Sequence, residues 1–235
     1  MSLSALFFDA VGTLFHVRGS VGGIYAEVAR RYGVEVSPEI LSREFREAMA
    51  KGRGPDYTHH PRESWDQAEK DWWAFLVSRV FLASGRPPEP FDDYFDEVYR
   101  AFEDPGRWEL YPDVQDTLRT LKDRGLILGI ISNFDRRIFP LCRGLGLMEW
   151  IDSVHLPRDV GAQKPDPRLF QAALSFHRLL PHQAVHVGDH PVEDEAGARG
   201  AGLRALRIDR HGVPTEGVVG VLRRLDELIG HIDGG

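Results

Sequence analysis

Three short apolar segments of the chain each end in polar side chains of a kind used in catalysis. Asp9 follows the run "ALFF", Ser132 and Asn133 follow "LGII", and Asp189 follows "VHVG". Continuous apolar runs of this length are typical of strands buried on both faces of a parallel sheet. Ligands of open parallel sheets bind beyond the carboxyl ends of the strands. Any one of these residues could simply cap the next helix, but three together indicate a site at one sheet edge.

The order of the predicted elements indicates an α/β fold. Strands are predicted at 5–11, 126–132, 151–156, 184–189 and 204–209, and helices at 112–124, 167–180, 192–201 and, as a final amphipathic helix, 218–230. Strands that alternate with helical patterns are typical of a doubly wound, Rossmann-like parallel sheet. Such a sheet would bring the strand ends described above to one rim.

The interval between the first and second predicted strands is too long for a single crossover helix. Its apolar residues recur at helical spacing, and Ser37 followed by Pro38 is a typical start of a helix. We therefore predict an inserted, all-helical cap of about four helices at residues 16–109. Residues 1–15 and 110–235 would form the Rossmann-like catalytic core.

Composition excludes several classes of protein. The 235 residues are 42% hydrophobic and carry a formal charge of −7 without a basic stripe, so we expect no nucleic-acid partner. No apolar run approaches the roughly 18 residues of a membrane span, and we expect no membrane association. A single cysteine, Cys142, is compatible with the cytoplasm. The sequence gives no indication of the oligomeric state.

The motifs resemble those of the haloacid dehalogenase superfamily, which consists mostly of phosphohydrolases and phosphotransferases. In order, the four motifs are Asp9 with Gly12, Thr13 and Leu14; Ser132; Lys164 in "QKPDPRLF"; and Asp189 and Asp194 in "GDHPVED". The segments "ISNFDRR" and "KPDPRLF" resemble the rhythmically-expressed-gene branch of that superfamily. With the inserted helices, the resemblance covers essentially the whole chain.

The resemblance implies a role for each motif residue. Asp9 would be the nucleophile that forms an aspartyl-phosphate, and Ser132, beside Asn133, would bind a phosphoryl oxygen. Lys164 would neutralise the nucleophile and the phosphoryl group. It is one of only four lysines among 29 basic residues, which favours a specific role. Magnesium would be held by Asp9, the backbone carbonyl of Val11, Asp189 and Asp194, with Asp194 fixing part of the hydration of the ion.

Val11 stands where the phosphatases of this superfamily have a second aspartate. That aspartate protonates the leaving group, and a positioned acid or base contributes about 10²–10⁴-fold to the rate. Possible substitutes are His16, His59, His60, His190 and Glu193. An acyl or aryl phosphate, whose leaving group departs without a proton, would also suffice.

The leading hypothesis is a magnesium-dependent hydrolase of a small phosphorylated molecule with an unusual proton-transfer step. The alternative from another class is a metal- and phosphate-binding regulatory protein without turnover. A dehalogenase is disfavoured because Asp189 and Asp194 are retained. A phosphonatase would need a Schiff-base lysine, for which the predicted cap offers Lys51 and Lys70.

Overall fold

The computed structural model describes residues 3–52, 54–212 and 221–233. The strands in these residues are β1 (Ala5–Phe8), β2 (Phe15–Val17), β3 (Trp108–Leu110), β4 (Ile127–Ile131), β5 (Ser153–His155), β6 (Ala184–Gly188), β7 (Arg204–Ile208) and β8 (Val221–Leu222). Six of them form a parallel sheet in the order β5–β4–β1–β6–β7–β8, while β2 pairs with β3. The predicted α/β fold with a parallel sheet is confirmed.

The α-helices follow the order that the alternating pattern predicts. They are α1 (Val21–Ala29), α2 (Pro38–Lys51), α3 (Trp65–Ser84), α4 (Phe91–Ala101), α5 (Val114–Asp123), α6 (Ile138–Gly144), α7 (Pro157–Val160), α8 (Pro167–Phe176), α9 (Gly197–Gly200) and α10 (Leu228–Asp233). A π-helical segment, Pro191–Ala196, runs directly into α9. Of these helices, none combines the length and the apolar character that crossing a bilayer requires.

The strands at the middle of the sheet are apolar on both faces because both faces are covered. All four residues of β1 are fully buried, and Phe7 packs with Leu169 and Phe170 of α8. Burial on two sides stabilises each such side chain by roughly 1.5–3 kcal/mol relative to exposure. This explains the continuous apolar runs by which these strands are recognised in the sequence.

The described residues divide into two compact units. The first comprises residues up to 16, 110–135 and 142 onwards, and it contains the six-stranded sheet. The second comprises 17–109 together with 136–141, and it contains α1 to α4. Residues 136–141 belong to the second unit, where the guanidinium of Arg137 lies 3.8 Å from the ring centre of Tyr99 and 5.2 Å from that of Trp73.

Two predicted helices differ from the observed ones. Helix α8 ends at Phe176, four residues before the predicted end. The predicted C-terminal helix is wrong at its start, because Val221 and Leu222 form a strand that pairs with β7. Hydrogen bonds at the edge of the sheet therefore override the helical periodicity there, and only residues 228–233 are α-helical. Residues 218–220 of that prediction lie outside the described part of the chain.

Candidate active site

The predicted site residues follow three neighbouring strands at the centre of the sheet. Strand β1 lies between β4 and β6, so their carboxyl ends are adjacent. The amide of Asp9 donates to the carbonyl of Val187 at 2.8 Å, which extends the pairing of β1 with β6. The amide of Ser132 similarly extends β4 by donating to the carbonyl of His155 at 3.2 Å. Backbone hydrogen bonds therefore fix the positions from which these side chains project.

Lys164 joins two of the carboxylates in the interior of the first unit. Its Nζ lies 2.6 Å from Oδ1 of Asp9 and 2.6 Å from Oδ1 of Asp194. The side chain of Lys164 is 1% exposed, and that of Asp194 is 2% exposed. Leaving a buried ammonium without its carboxylate partners costs much more free energy than breaking an ion pair at the surface. The structure therefore shows that Lys164 is not a solvated surface lysine.

Donors from the chain occupy most of the carboxylate of Asp194. Its Oδ1 accepts from Lys164 and lies 2.8 Å from Nε2 of His186, while Oδ2 accepts from the amide of His190 at 3.0 Å. His186 is completely buried, and its other ring nitrogen, Nδ1, has no hydrogen-bond partner among the residues that the structure describes. This arrangement assigns the ring proton of neutral His186 to Nε2. Asp194 is thus held in a fixed orientation with little capacity left for further ligands.

One ammonium shared by two carboxylates cannot neutralise both, and their pKa values diverge. Burial would raise the pKa of Asp194, but Lys164 and His186 hold it well below its usual range. Burial raises the pKa of Asp9 to about 8 against the opposing effect of Lys164, and the carboxylates of Asp194 and Asp189 add to that increase. Lys164 itself remains protonated, because its two carboxylate partners outweigh the effect of burial.

The three acids form a cluster with the composition of a divalent-cation site. One carboxylate oxygen from each of Asp9, Asp189 and Asp194 lies within 4.8 Å of the other two. Three carboxylates and one ammonium, when all are ionised, leave two negative charges. Oxygen ligands and this excess charge suit a hard cation such as Mg²⁺. The donors to Asp194 indicate that Asp9 and Asp189 would supply the direct protein carboxylate ligands.

Two glycines make room for the acid cluster. A Cβ at Gly188 would lie 2.2 Å from Cγ of Asp194, and a Cβ at Gly12 would lie 2.5 Å from Oδ2 of Asp189. Gly12 also has a φ of +91°, which side-chain-bearing residues rarely adopt. The carboxylates therefore occupy the space that side chains at these two positions would need.

Ser132 and Asn133 lie beside Lys164 and contribute in different ways. Asn133 Oδ1 accepts from the amide of Lys164 at 2.7 Å, and Asn133 Nδ2 donates to its carbonyl at 3.1 Å. Asn133 therefore fixes the backbone that carries the lysine. Ser132 is 3% exposed, and its Oγ accepts from the amide of Phe134 at 3.3 Å, which leaves the hydroxyl proton available to a ligand.

The structure places an apolar side chain where the resemblance leads one to expect an acid. Val11 is only partly buried and pairs with Phe15 in an isolated bridge. Of the predicted substitutes in the first unit, Glu193 accepts from Asn133 at 3.0 Å, and His190 Nδ1 accepts from the amides of Val192 and Glu193.

The other predicted substitutes lie beside Tyr111 or in the second unit. His16 packs against Tyr111, with ring centres 4.7 Å apart. His59 belongs to the second unit and is held by Asp56 at 2.6 Å, while the neighbouring His60 is exposed. Glu193 and His190 are thus each engaged in hydrogen bonds other than one to Asp9.

A second buried ion pair, which the sequence analysis did not predict, supports the loop after Asp9. Arg210 binds both carboxylate oxygens of Asp113, at 2.9 and 2.6 Å, and its Nη2 donates to the carbonyl of Thr13 at 2.7 Å. The amide of Leu225 also donates to Asp113. The sequence analysis also did not single out His186, although a histidine inside the apolar run "AVHVG" indicates a buried polar side chain that needs a partner.

Comparisons with known proteins identify the family. The sequence profile of haloacid dehalogenase-like hydrolases matches residues 3–202. The human haloacid dehalogenase-like hydrolase domain-containing protein 3 is 34% identical over 209 residues, which cover 88% of this chain and 82% of that protein. The Drosophila melanogaster rhythmically expressed gene 2 protein is 28% identical over 86% of this chain and 81% of its own length.

The fold is shared with solved structures as well. The L-2-haloacid dehalogenase RSc1362 superposes with a TM-score of 0.78 at 21% identity, covering 99% of this chain and 100% of that one. At this identity the similarity shows the fold alone. The profile match and the human relative show more: the chain belongs to the haloacid dehalogenase-like hydrolase family.

Proposed function

We propose that the protein is a magnesium-dependent phosphohydrolase of a small phosphorylated molecule, with Asp9 as the nucleophile. The observation that carries the proposal is the position of Lys164, whose Nζ is 2.6 Å from both Asp9 and Asp194 in the interior of the core. A lysine in this position compensates negative charge at the carboxylate that would attack phosphorus. The nearby Asp189 completes a set of acids suited to Mg²⁺.

In the proposed reaction, one oxygen of Asp9 forms a bond to phosphorus while the bond to the leaving oxygen breaks with its electron pair. Lys164 holds Asp9 through Oδ1 and offsets charge on the phosphoryl group. The Ser132 hydroxyl donates to a phosphoryl oxygen. Mg²⁺, bound by Asp9 and Asp189, would supply most of the remaining positive charge. Water then attacks phosphorus, the bond between phosphorus and Asp9 breaks with its electron pair returning to the carboxylate, and the proton of the water leaves with the released phosphate.

Val11 restricts the leaving groups that this site would accept. Its side chain cannot donate a proton, and Glu193 and His190 are engaged in other hydrogen bonds. We therefore propose that aryl and acyl phosphates, whose leaving groups depart as stable anions, react faster than alkyl phosphates. The difference is expected to approach the roughly 10²–10⁴-fold contribution of a positioned acid.

The absence of an acid at position 11 also favours a second candidate, a regulatory protein that binds the cation and a phosphate group without turnover. The two candidates share every contact of Lys164 and the three acids. They differ only in whether the phosphoryl bond breaks.

Hydrolysis of carbon–phosphorus or carbon–halogen bonds is less well supported. A Schiff-base mechanism needs a lysine with a free amine, but Lys51 pairs with Glu47 at 3.2 Å and Lys70 with Asp96 at 2.8 Å. The acids Asp189 and Asp194, together with Asp9, leave excess negative charge that a dehalogenase would not use. Phosphoryl transfer accounts for more of the residues that the structure brings together.

Phosphate release from 4-nitrophenyl phosphate and acetyl phosphate, measured with and without Mg²⁺, tests the proposal. Asp9→Asn should lower turnover by at least about 10³-fold because it removes the nucleophile. Asp152→Asn is a matched control, since Asp152 also pairs with a lysine, Lys122 at 2.8 Å, but outside the site. Magnesium-dependent phosphate binding in calorimetry without any turnover would instead support the regulatory protein.

A further inference from the structure

A cavity of about 270 Å³ opens beside the acid cluster within the first unit. Gly12 and Asp189 line it on the side shared with that cluster, and residues 207–211 at the end of β7 supply most of the remaining lining. At about 30 Å³ for each water, the cavity has room for roughly nine water molecules. It is therefore large enough for the small group that a substrate carries in addition to its phosphate.

Two of the charged residues that line the cavity are neutralised by partners within the protein. Asp209 pairs with Arg223 at 2.5 Å, and its other oxygen accepts from the amides of residues 211 and 212 at 3.0 Å. Arg210 is occupied by both oxygens of Asp113. Neither residue thus contributes net charge to the cavity.

The charge of Arg207 is compensated less completely. Within the residues that the structure describes, its one ion pair is with Glu195, at 3.9 Å, and Glu195 lies closer to Arg199, at 2.9 Å. One carboxylate is therefore shared by two guanidinium groups, which leaves one positive charge in excess. The side chain of Arg207 is only 16% exposed, so water compensates little of this charge.

The register of the sheet explains why this charge lies next to the acid cluster. Arg207 is paired with Gly188 across strands β6 and β7. Paired residues of parallel strands direct their side chains to the same face of the sheet. A Cβ at Gly188 would point at Asp194, so Arg207 projects from the face that also carries the fourth motif. The largely desolvated guanidinium is thus held by the sheet rather than by a flexible loop.

We propose that the cavity binds a carboxylate on the substrate through Arg207, and that the substrate is accordingly a small phosphorylated carboxylic acid. The inference rests on the proposed function, which places the phosphate at Asp9. With Asp189 assigned to the cation of the proposed site, Arg207 leaves one positive charge in the cavity, which matches a carboxylate better than a second phosphate dianion. The planar guanidinium also presents paired N–H donors that match the two oxygens of a carboxylate. Asp189, which lines both the cavity and the acid cluster, connects the two binding sites.

Calorimetric binding of two non-hydrolysable compounds tests the inference without requiring turnover. The compounds are phenylphosphonate and 3-carboxyphenylphosphonate, titrated into the magnesium-loaded full-length protein. The carboxylated compound should bind about tenfold more tightly, as expected for a hydrogen-bonded charge pair. In Arg207→Gln the two affinities should become equal, and in Arg207→Lys the ratio should be intermediate because the charge remains without the paired donors.

Arg204→Gln is the matched control. It removes the same charge from the same strand and leaves Glu195 shared between Arg199 and Arg207, but Arg204 is exposed and does not line the cavity. The ratio of affinities should remain about tenfold in this variant. Thermal melting of each variant verifies that it is folded.

The outcomes separate this inference from the proposed function. Equal affinities in the wild type, or a ratio that persists in Arg207→Gln, would overturn the carboxylate site while phosphonate binding still supported the phosphate site. Failure of both phosphonates to bind would overturn both proposals. Benzoate that binds together with 3-carboxyphenylphosphonate, without competition, would assign the cavity to a separate ligand and also contradict the inference.

Discussion

The first unit contains two buried ion-paired clusters that differ in their charge balance. Arg210 and Asp113 pair one to one, through both carboxylate oxygens, with side chains that are 5% and 1% exposed. Lys164 is instead shared by Asp9 and Asp194, with Asp189 close by. The first pair neutralises itself and secures a loop. The second cluster retains negative charge, which the proposed cation site requires.

The largest expected effect tests whether this unbalanced cluster is catalytic. Val11→Asp would add the proton donor that the site lacks, and Val11 is partly exposed, so the carboxylate would be hydrated. Hydrolysis of alkyl phosphates should increase by about 10²–10⁴-fold, with a smaller gain for aryl phosphates. Steady-state kinetics with propyl phosphate and 4-nitrophenyl phosphate measures both. No gain in a folded, magnesium-binding variant would mean that the rim is arranged for other chemistry.

The next largest effect is expected when the basic side chain of each cluster is removed, which compares the two clusters directly. Lys164→Met and Arg210→Met should each lower the free energy of unfolding by about 3–5 kcal/mol, because each leaves buried carboxylate charge unpaired. Excess Mg²⁺ should restore at least about 2 kcal/mol in Lys164→Met by binding the acid cluster. It should restore nothing in Arg210→Met. Urea denaturation with and without Mg²⁺ gives these values.

Equal recovery of both variants would contradict the comparison, because it would show a general effect of salt rather than a site. Sodium chloride at matched ionic strength serves as the control for that effect.

The smallest expected effect concerns a third polar cluster that contains no ion pair. The Oγ of Ser153 lies 3.0 Å from Nε2 of His155 and 2.7 Å from Nε2 of His177. Burial lowers the pKa of His155 to about 4 and also lowers the pKa of His177. The folded state therefore binds fewer protons than the unfolded state, in which histidine titrates near 6.5.

The resulting stability is complete above about pH 6.5 and is lost as the pH falls towards 4. His155 alone should contribute a slope of up to about 1.4 kcal/mol for each pH unit in that window. Replacing His155 with Gln should flatten the slope in urea denaturation between pH 4 and 7. An unchanged slope would show that other groups dominate acid unfolding.

The sequence predicts the central part of this architecture well, because strands buried on both faces leave a strong signal. Each of the five predicted strands contains an observed strand of the sheet. The resemblance of the motifs to those of the superfamily also points to Asp9, Lys164 and Asp194, and Lys164 contacts both acids in the structure. In these cases burial and local chemistry act on the same few residues, so the pattern is readable.

Features that depend on distant pairing could not be predicted in the same way. Arg210 and Asp113 are 97 positions apart, and no local pattern connects them. Strand β8 consists of two residues that pair at the sheet edge inside a segment with helical periodicity. The excess charge at Arg207 becomes visible only when the sharing of Glu195 with Arg199 is seen.

The contact between Gly188 and Asp194 has a further consequence for substitutions in this protein. Gly188→Ala changes no charged or polar group, yet the added methyl would overlap the carboxylate that holds Lys164. It should therefore behave like the loss of an acidic residue. A search that considers only ionisable residues would overlook a position at which one methyl group can disable the whole centre.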